Sequence, residues 1–452
     1  MKTHSIRPFN QPNSAIHVRL VPLMIVLLSL AAVHIPLTAQ AATVTWTGGA
    51  GENDDTWSTG ANWSGGSAPG TADIATFGAG TFPTSLNPAG TTLTIAGLAF
   101  DSRATGTVTI TIPAGTGKLT LNGDAETDIS VAAGHHVIRG QNKASGDVTV
   151  QGSTHPTPTQ VWDVAADASL TFTDVHMRTA NAAQNFRKTG DGLVVLAGDS
   201  VGSANPWAFG TFYVSGGTLR IAHRNAVGRA ANKFEIQAGA TFDIALPTQT
   251  IATPLVLSGG RVTRSIATGQ ALTLGTTEAI TSKFTGASIA TNVKILASTN
   301  ATSDTTLDYT FTATAPSGAA NDDLRASHVF TLSGTGTGTD IYVLQLSVAA
   351  LETGQSLSWL DNGKWKNAGL GDGVVGSFAD SGLAATSGNV GRWGYDLANG
   401  ATWAILDHGG SFAITSAAIP EAGSAALIIG GVILATSLCL KGAHLWGKRA
   451  HF

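Results

Sequence analysis

The chain has 452 residues, a formal net charge of −4 and 55 glycines, and only 12% of its residues are charged, about half the usual share. With no basic footprint, nucleic acid is excluded as a partner, and glycine with β-branched residues argues against long helices. One cysteine, Cys439, excludes an internal disulfide framework and metal sites built on Cys. What remains is an all-β chain whose stability comes from stacked strands and ladders of backbone hydrogen bonds.

Residues 1–41 have the layout of a secretory signal peptide. Lys2, Arg7 and Arg19 supply positive charge, Leu20 to Val33 is the apolar stretch, and Ala39-Gln40-Ala41 is an A-x-A cleavage site. The protein is therefore expected to be exported. The segment 42–90 opens with Val44-Thr45-Trp46-Thr47-Gly48-Gly49 and continues through Trp57, Asn62-Trp63, Pro69, Asp73 and Phe77. Closely spaced Trp among Gly, Ser and Asn do not make a helix face. Two readings compete for Trp46, Trp57 and Trp63: exposed indoles that contact sugar rings, or a plug over the open end of a strand stack. The plug, an N-terminal cap, is favoured.

From 91 to 350 short strands follow one another, among them Thr92–Ile95, Thr107–Ile112, Lys118–Leu121, Asp147–Val150 and Ser169–Thr173. Thr alternating with Val, Ile or Leu is the half-buried strand pattern. The strands then lengthen at 306–313, 329–332 and 341–348. The clearest unit runs over 188–228. Lys188-Thr189-Gly190-Asp191-Gly192-Leu193-Val194-Val195-Leu196-Ala197-Gly198 is followed by a loop and by Tyr213-Val214-Ser215-Gly216-Gly217-Thr218-Leu219-Arg220-Ile221. Its turn is echoed at Ala238-Gly239-Ala240-Thr241-Phe242, at Ser258-Gly259-Gly260-Arg261-Val262 and, in degenerate form, at Ala166-Asp167-Ala168-Ser169-Leu170. A recurrence roughly every 20–25 residues is the length scale of solenoid coils.

Residues 188–228 resemble the passenger-associated β-strand repeat of autotransporter-like surface proteins: K-x-G-x-G-x-L-x-L-x-G, a loop, V-x-x-G-x-L-x-h and a closing A-L-G, here Ala226-Val227-Gly228. The loop departs from the family pattern, being longer and containing Asn205-Pro206-Trp207. The resemblance covers about 40 of the 452 residues and implies a right-handed parallel β-helix (solenoid). The opening of the mature chain is similar to the start of many exported proteins with such repeats, which agrees with an aromatic cap.

The segment 351–418 is richer in Trp (Trp359, Trp365, Trp393, Trp403) and carries Gly371-Asp372-Gly373 and Asp407-His408-Gly409-Gly410. It is expected to be a C-terminal β cap. In 419–452, Ile419-Pro420-Glu421-Ala422 precedes an uncharged run over 423–440 and a basic tail with Lys441, Lys448 and Arg449. A helix over 423–440 would span about 27 Å, close to a bilayer core of about 30 Å, with the basic tail in the cytoplasm. Pro420-Glu421, one apolar helix and a basic end resemble the PEP-CTERM sorting signal. Ala422 stands where that family usually has a second Pro. The resemblance implies a membrane-anchored intermediate processed by an exosortase-like protease.

Candidate chemistry is sparse. Gly198-Asp199-Ser200-Val201-Gly202 matches a nucleophile-elbow pattern, but Pro206 follows where that chemistry needs a helix. His135-His136 read as surface or turn histidines, because neighbours on a strand face opposite ways. Glu52, Asp54 and Asp55 read as a solvated loop, and the Gly-Thr repeat from Gly334 lacks the Lys of a phosphate cradle. No cofactor is expected. The composite expectation is an exported, non-catalytic structural or adhesive cell-surface protein, associated with extracellular polysaccharide. The alternative is a carbohydrate-active β-helix enzyme, either a polysaccharide lyase or a glycosidase. It requires carboxylates, or a basic group with calcium ligands, gathered on one face, with Asp163, Asp174, Asp191, Glu235 and Asp243 as candidates on different coils.

Overall fold

Alternating apolar and polar side chains let each short strand bury one face, and glycine-bearing turns let the chain come back beneath itself. A computed structural model of the chain describes residues 41–51, 54, 56–79, 92–112, 118–121, 127–140, 150–151, 159–175, 177–178, 184–198, 209–228, 232–246, 253–266, 280–282, 291–299, 307–314, 325–334 and 341–416. Ala39, the leader, the Pro420–Ala422 motif and the apolar run 423–440 lie outside the described residues. So do most of the nucleophile-elbow pattern, Glu52, Asp55 and the Gly-Thr repeat beyond Gly334. Among the described residues, no helix is long and apolar enough to cross a membrane.

The described chain is mostly strand, and its helical elements are 3-10 turns of three or four residues. Its first part is a stack of parallel coils. The largest sheet begins Ala42–Thr45, Asp73–Phe77, Gly97–Phe100, Ile129–Val131, Thr159–Val164, Asn185–Thr189, Thr211–Val214, Lys233–Gln237, Leu255–Ser258 and Ile280–Ser282, all parallel. A second sheet stacks Thr109–Ile112, His135–Gly140, Ser169–Thr173, Leu193–Leu196, Thr218–Ile221, Thr241–Ile244 and Arg261–Ile266 in the same way. The early coils add a third, four-stranded sheet from Thr92–Ile95 to Met177–Arg178. Long parallel sheets visited in rotation are the arrangement of a β-solenoid.

Parallel stacking ends earlier than the expected boundary at 350. Among the described residues, the unbroken run of parallel pairs ends with Arg261–Ile266 and Ile280–Ser282. Beyond them Asn292–Thr299, Leu307–Thr314, Val329–Gly334 and Ile341–Ser347 pair antiparallel. Strands Gln355–Asp361, Lys364–Asn367, Trp393–Asp396, Ala401–Leu406 and Gly410–Ser416 then extend the same two sheets. Direction follows the connection, since an antiparallel neighbour can be reached by a short reversal whereas a parallel one needs the chain to be carried round to the next level. Of these pairs, Leu307–Thr314 and Val329–Gly334 are successive strands of the chain.

Between the sheets the inward side chains form rows. Trp162, Phe186, Phe212 and Phe234 follow one another along the axis at 5.4, 5.7 and 5.5 Å between ring centroids, with Phe172 and Phe242 facing them from the second sheet. Each such ring pair adds about 0.5–1.5 kcal/mol beyond simple burial. At the N-terminal end Trp46, Trp57 and Trp63 are 3, 2 and 2% exposed and pack on one another and on Phe77. Asn62, fully buried, holds this knot by accepting from Ala50 N and donating to the carbonyls of Asp54 and Thr56.

One corner recurs. Between the large and second sheets, each coil from Ile129–Val131 to Leu255–Ser258 places a residue in left-handed backbone: Gly134, Asp167, Gly190, Gly217, Gly239 and Gly259. Asp167 explains why the 166–170 copy looks degenerate, since Asp tolerates this conformation better than most residues. The corners also stack, so a Cβ on Gly217 would fall 2.3 Å from the carbonyl oxygen of Gly192, whereas one on Gly239 would meet nothing within 4 Å. Gly239→Ala is therefore expected to cost about 1 kcal/mol of backbone strain, and Gly217→Ala at least twice that. Urea unfolding of the two variants checks this, and equal losses would contradict close stacking of the turns.

Candidate functional site

The outward side of the large sheet carries the densest set of functional side chains in the described chain. Strand alternation sends Phe186, Phe212 and Phe234 inward, which turns Arg187, Tyr213 and Glu235 outward in one row. The Arg187 guanidinium lies over the Tyr213 ring at 5.0 Å, a cation–π contact, and donates to Ser215 Oγ at 3.0 Å. Ser215 Oγ donates to Gln237 Oε1, Ser258 Oγ to Glu235 Oε1, and Thr189 Oγ1 to Asp163 Oδ1. Lys233 Nζ stands 3.7 Å from Glu235. All but the Lys233–Glu235 pair, which lies within one strand, join one coil to another.

The five acidic candidates do not gather at one point, although Asp163 and Asp191 both act on the Lys188 ammonium. Asp163 and Glu235 share this face but are separated by strands Asn185–Thr189 and Thr211–Val214. Three inter-strand steps amount to about 14 Å, beyond the roughly 5–9.5 Å of a glycosidase pair. Asp174 and Asp191 sit at turns. Asp243 belongs to the second sheet, where it accepts from Arg220 at 2.6 Å and from Thr263 Oγ1 at 3.0 Å. Among the described residues, no group of three or more His, Cys, Asp and Glu is placed to hold a metal ion.

The aromatic platform is corrected by burial. Trp46, Trp57 and Trp63 present no open ring face, because each indole is spent on filling the first coil. His135 and His136 do face opposite ways. His135 is exposed beside Ser169 Oγ, but His136 is buried, stacked on Phe100 at 4.0 Å, and so is not a surface residue. Its Nδ1 accepts from Val108 N and its Nε2 lies 2.7 Å from Ala133 O, which suits the neutral ring, and burial holds its pKa below the usual value. Asp54 shapes a turn, with Oδ1 accepting from Thr56 N.

Two buried ionisable groups were not assigned a role from the sequence. Lys188 is fully buried, and its ammonium donates to the carbonyls of Thr189, Gly190 and Gly216 at 3.0, 2.7 and 2.9 Å. It thereby ties its own corner to the next. Burial pushes its pKa down to about 8, against the pull of Asp163 and Asp191. The signal was available, since two-residue alternation puts Lys188 on the same face as Phe186. Asp128 is 3% exposed and burial lifts its carboxyl to about 7. Its Oδ2 accepts from Val161 N at 2.7 Å, while its backbone bonds to Leu98 and Val161. No family model matches the chain, and neither does any curated protein or solved structure.

Both groups generate predictions. Lys188→Met leaves three partly buried carbonyls without this donor, and at about 1–3 kcal/mol for a fully buried unsatisfied group the loss is expected to be roughly 2–3 kcal/mol. A chemical-denaturation midpoint unchanged from wild type would show that the ammonium is not needed. For Asp128, the folded pKa of about 7 lies above the ordinary 3.8, so its contribution is full below pH 4 and is lost as pH rises towards 7. Asp128→Asn keeps an acceptor for Val161 N and does not titrate. The stability difference between variant and wild type should therefore shift in favour of the variant from pH 4 to 7, by up to about 1.4 kcal/mol per unit. Thermal melts of both proteins across that range test it.

Proposed function

We propose that the chain is an exported, non-catalytic structural or adhesive cell-surface protein whose associated material is extracellular polysaccharide. In this reading residues 1–41 are a signal peptide cleaved after Ala41. The body is a right-handed β-helix closed by aromatic caps. A helix over 423–440 anchors an intermediate that an exosortase-like protease processes at Pro420–Ala422.

The observation that carries the reading is the fate of the polar groups on the large sheet's outer face. Arg187, Ser215, Glu235, Asp163 and their partners are engaged in bonds between coils, and Asp163 and Glu235 stand too far apart for paired acid–base work. Such a face gives an elongated, stiff surface lined with hydroxyl and amide groups, suited to extended contact with a hydrated polymer. With the Trp residues buried in the cap, polysaccharide contact falls to these outer faces.

A glycan array combined with an assay for released reducing ends tests the role. The expected result is binding without turnover. Turnover abolished by replacing one acidic residue would establish the enzyme alternative instead. Mass spectrometry of the protein from its native envelope is expected to find a start at Ala42 and an end upstream of Phe452. An intact C-terminus would leave an anchor without processing.

A further inference from the structure

At each end of the large sheet the terminal described strand has no further described strand beside it, although residues 62–64 lie along the second half of the first, where Trp63 forms an antiparallel bridge with Trp46. At one end Ala42–Thr45 pairs with Asp73–Phe77, and no described strand lies beyond it. Its backbone N–H groups alternate in direction. Trp46 N bonds inward to Thr76 O, and Thr45 N faces away and is taken by Ser64 Oγ, so Thr43 N, by the same alternation, also faces away. At the other end Val374–Val375 pairs with Trp393–Asp396, and Gly376 N bonds inward to Tyr395 O, which turns Val375 N outward. No described strand lies beyond this one either.

The second edge is held ready. Trp393 Nε1 donates to Gly371 O and Trp403 Nε1 to Gly376 O, pinning the chain on either side of the strand. A Cβ on Gly369 or Gly373 would fall 2.1 or 2.7 Å from the Trp393 indole, so the loop lies flat on that ring. Fixed in this way, Val375 is 74% exposed and the neighbouring Leu370 is 80% exposed. The terminal strand of the second sheet is different. Lys364–Asn367 turns Lys364 and Lys366 to solvent, and charged residues of that kind block strand addition. One edge at this end is guarded and the other is apolar.

Strand sense identifies what fits the apolar edge. From Ala42–Thr45 to Ile280–Ser282 every pairing in the large sheet is parallel. Four antiparallel pairings follow, joining Ile280–Ser282, Asn292–Thr299, Ile341–Ser347, Ala401–Leu406 and Trp393–Asp396 in succession. The pairing to Val374–Val375 is again parallel. An even number of reversals leaves Val374–Val375 running in the same sense as Ala42–Thr45. A second copy advanced along the sheet, without being turned over, thus brings its first strand beside the last strand of its neighbour in parallel.

We infer that copies of this chain associate head to tail, the exposed part of the first strand, Ala42–Thr43, of one joining the edge at Val374–Val375 of the next. The contact is heterologous and repeats, so it builds linear arrays rather than closed dimers. Leu370 and Val375 supply the apolar contact and the two backbones supply the hydrogen bonds, as in strand addition to a sheet edge. This inference is separate from the surface role proposed above, because it concerns only the two ends of the sheet.

Full-length chain in mild detergent, which shields the apolar terminal segments, is examined by analytical ultracentrifugation over a concentration series. Wild type is expected to gain mass beyond the dimer as concentration rises. Thr43→Pro blocks the first edge, where proline is tolerated at an outward N–H. Val375→Lys blocks the last edge, and Leu370→Asp serves as a second block on the same side. Each variant alone is expected to remain monomeric, and an equimolar mixture of Thr43→Pro with Val375→Lys should reach twice the monomer mass and no more. Circular dichroism confirms that the variants remain folded. A wild type that stays monomeric throughout overturns the inference. So does a Thr43→Pro chain that still self-associates, since like ends would then be joining.

Discussion

Every coil must return one strand spacing, about 4.8 Å, from where it began, and the rest of the described structure follows from meeting that demand in register. In-register return aligns Trp162 with Lys188, then Val214, Ile236 and Leu257, one beneath another. It also stacks the corners, some of which, as at Gly190 and Gly217, leave no room for a Cβ beside the carbonyl oxygens of the neighbouring coil. Those carbonyls need donors. Backbone N–H groups supply most of them, as where Thr218 N bonds to Gly192 O and Thr241 N to Gly217 O. At the corner of the 188–228 unit a lysine does the same from inside. A buried ammonium is costly unless fully paired, and all three of its protons are used.

The outward faces obey the same register with different chemistry. Residues that meet across coils lie 20 to 34 positions apart in sequence, so side-chain bonds such as Arg220 to Asp243 or Thr189 to Asp163 connect levels that the backbone ladder already joins. Exposed pairs of this sort contribute little stability singly. Their larger effect is on what the surface offers a partner, because a carboxylate such as Asp163 or Asp243 already accepts hydrogen bonds from the neighbouring coil. The low charge content of the chain and its dispersed acids are two aspects of one design, in which polar side chains decorate ladders.

A stack of coils has no natural end, and this chain closes its two ends differently. The first coil is filled by three indoles and a buried asparagine. The last parallel coils pass into longer antiparallel strands that carry the same two sheets onward, with Trp365 and Trp403 buried against them. Caps of either kind cover the apolar interior that a solenoid otherwise exposes, but they do not cover the sheet edges equally. Lysines guard the second sheet, while glycines and tryptophans hold the large sheet's final strand in place with its apolar side chains outward.

Much of this was legible in residue order alone. Period-two alternation marked strands such as Lys118–Leu121 and Ser169–Thr173, and the Gly turns at 216–217, 239 and 259–260 marked the coil corner, because both signals depend on a residue's own backbone and nearest neighbours. The burial of Lys188 was legible too, on the same alternation. Other features depended on partners distant in sequence. Whether Trp46, Trp57 and Trp63 face sugar or core is decided by Phe77, and His136 lies inside because Phe100, one coil away, offers it a ring. The strands over 307–347 carry the same alternation as the coils, so their antiparallel pairing could not be read from composition or period. Whether Asp163 and Glu235 meet depends on how many strands lie between them. Sequence determined which residues form strands and corners, since those preferences are local. Tertiary structure decided pairing direction, sidedness and distance, since these are properties of residues that only folding brings together.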